Sequence, residues 1–181
     1  MRKTVFFDRD GVLNQAVFHD GRPHPPADAN SLLITEGAGK CLSRLKEAGY
    51  LCICVTNQPD LARGTRTREN IAAMNAKVLA ALPLDDLFVC LHDGPDNCPC
   101  RKPKPGLLLE AARKWDVDLA ASWMVGDRSG DMEAGHAAGC RTIFLDCGYD
   151  RPETTSPDFI CHAIPQVADI ILREPGGAKA C

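Results

Sequence analysis

Short apolar runs alternate with longer amphipathic ones along this chain. Residues 4–7 (TVFF), 51–55 (LCICV), 87–91 (LFVCL), 123–125 (WMV), 141–145 (RTIFL) and 158–164 (DFICHAI) are brief and rich in β-branched and aromatic residues. Most lack strict apolar–polar alternation, which is the pattern of strands buried on both faces. Helical periodicity fills the gaps between them. In 36–50, Leu42, Leu45 and Ala48 share a stripe that stops at Gly49. Residues 67–82 open on Thr67, a capping residue, and end before Pro83. Residues 104–115 carry Pro105 at a first-turn position, and 129–139 and 164–174 predict two further helices.

Strands alternating with helices predict an α/β fold: an open, parallel, Rossmann-like sheet flanked by helices, with right-handed crossovers. The length suits a single domain over 1–181, with a frayed tail at about 175–181. Residues 14–31, rich in Pro, Gly and Asp, predict a long loop, and a loop of that length inside a compact domain is usually functional. Within it, His19, Asp20 and Arg22 are polar enough to contact a sugar, although His19 and His24 read equally well as solvated loop residues.

In an open parallel sheet, ligands bind beyond the carboxyl ends of the strands. Those ends carry the chemistry of this sequence. Asp8 and Asp10 follow the first strand, Thr56 and Asn57 end the second, and Asp127 and Asp131 follow the fourth. Adjacent carboxylates repel one another unless a cation lies between them. The chemistry this suggests is phosphoryl transfer. An Asp carboxylate can attack phosphorus, a second acid two residues on can protonate the leaving oxygen, and a hard cation such as Mg²⁺ can offset the charge. Thr56, Asn57 and Lys102 could bind the non-bridging oxygens. Each motif alone has a plainer reading, since Asp and Thr commonly cap helices. Their joint order is the stronger signal.

A second constellation lies in 90–106, CLHDGPDNCPCRKPKPG. Cys90-x-His92-x5-Cys98-x-Cys100 offers three thiolates and an imidazole, a common structural zinc set. The alternative is free surface thiols beside a solvated histidine. A closed four-ligand zinc would activate no water. It would order a zinc loop, about 90–100, that is too polar to have its own core. Arg101, Lys102 and Lys104 come directly after it. Arg101 can grip a phosphate bidentately, or the basic run can be a solvated turn.

Composition excludes several classes. A net charge of −3, with only two Trp and two Tyr, gives no field for nucleic acid. No apolar run approaches the roughly 18 residues of a spanning helix. The start, MRKTVFFDRDG, is too short for a signal peptide, so a cytoplasmic chain is expected, with no membrane partner and a monomeric state. In that reducing setting the ten cysteines do not read as a disulfide framework. Cys52, Cys54, Cys140, Cys147 and Cys161 read instead as small core residues.

DRDGVLN, VTNQ, RKPKPG and GDRSGD, in that order, resemble the four motifs of the haloacid-dehalogenase-like (HAD) phosphatases, specifically the capless subgroup with a zinc loop. The resemblance covers roughly residues 4–148. It implies a phosphatase with Asp8 as nucleophile, Asp10 as general acid/base, and Thr56 and Lys102 on the transferring phosphate. It implies Mg²⁺ held by Asp8, the Asp10 carbonyl and Asp127, with Asp131 orienting metal-bound water or Lys102. It also implies Zn²⁺ on Cys90, His92, Cys98 and Cys100. Arg9, Asn57, Gln58, Arg63, Arg101 and Arg128 are the residues expected to bind the rest of a small phosphorylated sugar. A heptose 1,7-bisphosphate that loses its 7-phosphate on the way to surface polysaccharide is the implied substrate. Histidinol phosphate is the alternative, with Asp20 or Asp60 meeting its amine, and a silent zinc-containing binding module is the alternative of another class.

Overall fold

A computed structural model of the chain describes residues 1–19, 21–150 and 155–174. The expected frayed tail and the substrate role of Asp20 fall outside these residues, as do the side chains of His19 and Arg22.

The strands are β1 (Thr4–Phe7), β2 (Val17–His19), β3 (Arg22–His24), β4 (Leu51–Asn57), β5 (Asp86–Cys90), β6 (Trp123–Gly126), β7 (Arg141–Leu145) and β8 (Phe159–Cys161). The helices are α1 (Ala38–Glu47), α2 (Arg68–Ala81), α3 (Gly106–Trp115), α4 (Ser129–Ala138) and α5 (Ile164–Arg173). Six strands form one sheet in the order β5-β4-β1-β6-β7-β8, and every pairing in it is parallel. All six carboxyl ends therefore lie on one edge. The chain builds outward from central β1 to β4 and β5, then crosses to β6 on the other side of β1. That reversal opens a crevice where the strand ends diverge.

Alternation along each strand divides the core. Val5, Phe7, Cys52, Cys54, Trp123, Val125 and Ile143 face a cluster closed by α1, α2 and α5. Phe6, Ile53, Val55 and Met124 face the opposite cluster, closed by α3 and α4. Each such side chain contributes about 1.5–3 kcal/mol by leaving water, so the central strands are rigid supports for the loops at their carboxyl ends. Thr67 caps α2 as expected, its hydroxyl accepting from the Asn70 N–H at 3.2 Å.

Two expectations are corrected. The loop 14–31 contains the β2–β3 hairpin, closed at Gly21 with φ 71°. Three-residue strands carrying Pro23 give too short a pattern to read, and Pro argues against a strand. Thr56 and Asn57 end β4 as expected, still pairing with Val89 and Cys90. Among the cysteines, Cys52, Cys54, Cys140 and Cys161 are buried core residues, and burial pushes the thiols of Cys52, Cys140 and Cys161 up to about 12. Cys147 is exposed instead, because it lies beyond the end of β7 in irregular chain. Among the described residues no helix is long and apolar enough to cross a membrane.

Candidate active site

Parallel pairing sets the strand ends side by side. The Asp8 N–H donates to Val125 O at 2.9 Å, which fixes the loop after β1 against β6. Lys102 reaches in from the segment between β5 and α3. Its Nζ lies 2.8 Å from Asp8 Oδ1, 2.6 Å from Asp131 Oδ1 and 2.9 Å from Val55 O, so all three ammonium donors are satisfied. Asn57 clamps the backbone behind it, accepting from the Lys102 N–H at 3.1 Å and donating to Lys102 O at 3.0 Å.

Asp8, Asp127 and Asp131 are buried, and a carboxylate oxygen from each lies within 4.8 Å of the others. Asp127 Oδ2 accepts the Tyr149 hydroxyl, while Asp127 Oδ1 is buried with no hydrogen-bond partner. An orphaned, buried carboxylate oxygen beside two more carboxylates fits a hard divalent cation with oxygen ligands. Two glycines make the crowding possible. A Cβ on Gly126 would collide with Asp131, and one on Gly11, which has φ 88°, would collide with Asp127 and Tyr149.

The charges respond to this crowding. Burial pushes the Asp8 carboxyl up to about 6, against the pull of Lys102 and with a push from Asp131. Burial, then Asp8 and Asp131, holds Asp127 well above the usual carboxylate range. Burial alone would lower Lys102, but Asp131 and Asp8 outweigh it and keep the ammonium charged.

Asp8, Asp10, Lys102 and Asp131 line a cavity of about 450 Å³. Arg63, Arg101 and Arg128 line it too, and Pro23, His24 and Pro25 reach it from the hairpin. Arg9 does not line the cavity itself. Expected at the substrate, it is 0% exposed beneath the site, with Nη1 donating to Asn75 at 2.7 Å and Nη2 to Asp10 Oδ2 at 2.9 Å. It lies between two residues of the site and its side chain turns the other way, into the protein. Asn57 and Gln58 line the cavity, but their amides bond within the protein. Those of Asn57 hold Lys102, and Gln58 Nε2 donates to Asp10 Oδ2 at 2.7 Å and to Thr56 Oγ1 at 3.0 Å. With Asn14 Nδ2 at 3.1 Å, these donors fix Asp10. Sequence reasoning missed Tyr149. The available signal was an aromatic residue just past a strand end, in DCGYD.

The cysteine loop closes on itself. Cys100 Sγ lies 3.2 Å from Cys90 Sγ and 3.4 Å from both Cys98 Sγ and His92 Nδ1, while Cys90 Sγ lies 3.6 Å from Cys98 Sγ and from His92 Nδ1. Ligands about 2.0–2.3 Å from a tetrahedral zinc stand roughly 3.5–3.8 Å apart; the separations here are slightly tighter, and the four atoms form a candidate set for that ion. Asp93, inside the loop, takes Arg63 Nε at 2.6 Å and Nη2 at 2.8 Å. The Arg63 guanidinium pulls the Asp93 carboxyl down to about 2. Asp60 is paired with Arg66 at 3.1 Å.

Comparison with known proteins gives a consistent picture. Residues 99–168 match the HAD-hydrolase-like family. A D-glycero-beta-D-manno-heptose-1,7-bisphosphate 7-phosphatase of Bordetella bronchiseptica is 34% identical, over 95% of this chain and 99% of its own. The protein of that name from Pasteurella multocida is 35% identical over 80% and 82%. The crystal structure of the D,D-heptose 1,7-bisphosphate phosphatase from B. bronchiseptica, complexed with magnesium and phosphate, superposes with a TM-score of 0.81. It covers 95% of this chain and 99% of that one at 31% identity. A Burkholderia thailandensis structure at 22% identity and TM-score 0.65 shares the fold, over 94% and 99% of the two chains.

Proposed function

Since the chain belongs to the HAD-like phosphatases, in the branch of the heptose-bisphosphate enzymes, we propose that it removes the 7-phosphate from D-glycero-D-manno-heptose 1,7-bisphosphate. The observation that carries this reading is the buried Asp8–Lys102–Asp131 bridge beside Asp127, opening into a cavity walled by three arginines.

In this reading Asp8 attacks phosphorus and forms an aspartyl phosphate as the bond to the sugar oxygen breaks. Asp10, held by Arg9, Gln58 and Asn14, gives its proton to that oxygen and then takes one from the water that hydrolyses the acyl phosphate. Thr56 and Lys102 bind the non-bridging oxygens, Lys102 by turning the donor now on Asp8 to the phosphoryl group while Asp131 keeps the ammonium in place. Mg²⁺ would be held by Asp8, the Asp10 carbonyl and Asp127, where it would offset the charge that builds on the phosphoryl oxygens. Zn²⁺ on Cys90, His92, Cys98 and Cys100 would be structural, anchoring the peptide that delivers Arg101 and Lys102. The enzyme would act as a cytoplasmic monomer.

The wall favours a second anion on the substrate. Arg63, Arg101 and Arg128 all face the cavity. The amine of histidinol phosphate would need an available carboxylate, and Asp60 is committed to Arg66. Phosphate release from the two compounds tests the reading. We expect kcat/KM to favour the heptose bisphosphate by at least about tenfold, or 1.4 kcal/mol. The opposite preference refutes the substrate. Asp8→Asn should abolish turnover of either compound and keep the fold, and a variant that still turns over refutes the nucleophile.

A further inference from the structure

The arginines of the cavity wall do not position themselves. Arg63 comes from the loop after β4 and Arg101 from the end of the cysteine loop, so two like charges on separate segments must be brought together. Asp93 does this. It takes both side-on donors of Arg63, Nε at 2.6 Å and Nη2 at 2.8 Å. Its Oδ1 also lies 3.7 Å from Arg101 Nη2, while Arg101 Nη1 donates to the neighbouring His92 carbonyl at 3.3 Å. Asp93 is itself held, because its N–H donates to Asp96 Oδ2 at 2.8 Å across the turn Gly94–Asp96. Both arginines line the cavity and Asp93 does not, so the carboxylate stands behind them. A guanidinium has five donors in a rigid fork. Anchoring the Nε/Nη2 edge leaves the other edge oriented and available to an anion in front.

The geometry points to Asp93 as a positioning residue for substrate selection: it sets the spacing of Arg63 and Arg101 so that together they receive the anionic group of the substrate that is not transferred. The inference rests on the bisphosphate reading above and adds to it the residue that makes the arginine pair selective. Asp93 does not line the cavity that Asp8 opens into.

The test compares heptose 1,7-bisphosphate with heptose 7-phosphate in steady-state kinetics, for the wild type, Asp93→Asn, Arg63→Met and the double variant. Asp93→Asn keeps the shape of the side chain and removes its charge. We expect the preference for the bisphosphate, as a ratio of kcat/KM values, to fall about tenfold through KM rather than kcat. Arg63→Met should produce the same loss, and the double variant should lose no more than either single one, because the two residues act as a unit. Zinc content should stay that of the wild type. A wild-type preference that survives Asp93→Asn overturns the inference, as does a parallel loss of both substrates, which a merely structural role would give. A wild type with no preference for the bisphosphate overturns the substrate reading itself, and the inference with it.

Discussion

Lys102 offers the sharpest test of the site. Its ammonium is the only cation within 3 Å of both Asp8 and Asp131 among the described residues, and Asp127 is close by. Lys102→Met keeps the length of the stem and removes the charge, leaving three buried carboxylates that face one another. Removing one partner of a buried pair costs about 3–5 kcal/mol. At about 2–4 °C per kcal/mol for a chain of this size, the melting temperature should fall by about 10 °C near neutral pH. The sign of the pH dependence comes from the carboxyls. The folded value for Asp8 is already raised from 3.8 to about 6, and loss of Lys102 raises it further. A carboxyl raised in the folded state supports folding below its unfolded value, and that support is lost as pH rises through the folded value. The gap between variant and wild type should therefore be small near pH 5 and widen towards about pH 8. Magnesium should narrow it again by supplying the missing positive charge. The assay is thermal unfolding monitored by circular dichroism at both pH values, with chelator and with magnesium. A gap independent of pH and of magnesium would mean that Lys102 matters only for packing, and would refute the electrostatic account of the site.

The geometry leads to three other outcomes. Tyr149→Phe keeps the ring against Phe18 and under the Arg128 guanidinium but removes the donor to Asp127, so magnesium affinity by calorimetry should weaken about 10–100-fold. Unchanged affinity would separate Tyr149 from the metal carboxylate. Magnesium should bind at least about tenfold more weakly near pH 5 than near pH 8, since the proton on Asp8 must leave first; equal affinities would place the metal elsewhere. Cys98→Ala should lower both the zinc content, from about one per chain, and the melting temperature, and elemental analysis that finds zinc undiminished would reject the ligand set.

What the sequence disclosed and what it hid divide along physical lines. Parallel strands buried on both faces need apolar residues at nearly every position, so β1, β4 and β7 stood out as runs. Carboxylates just past such runs stood out because a strand end has one place to go, the edge of the sheet. Three thiols and an imidazole within a short Gly/Pro segment were legible for the same local reason, and the fold brings them together. The rest depends on contacts across the chain. Arg9 stands between Asp8 and Asp10 in sequence, yet its charge is buried against Asn75, which sits 66 residues on. Tyr149 meets Asp127 through the turn after β7, and Asp93 meets Arg63 across 30 residues. The β2–β3 hairpin is too short to impose a period of its own.

The first strand also decides how the protein can be handled. Met1 is 84% exposed, its ammonium 3.4 Å from Asp116, and Arg2 bridges to Val117 at the edge of the sheet opposite the strand ends. From there β1 runs through the centre of the protein and emerges at Asp8, roughly 20 Å away at about 3.3 Å per residue. A surface attachment or fused partner at the first residue would thus hold the molecule from behind, with its cavity turned outward and unobstructed. Immobilised in that way, it should turn over as it does in solution.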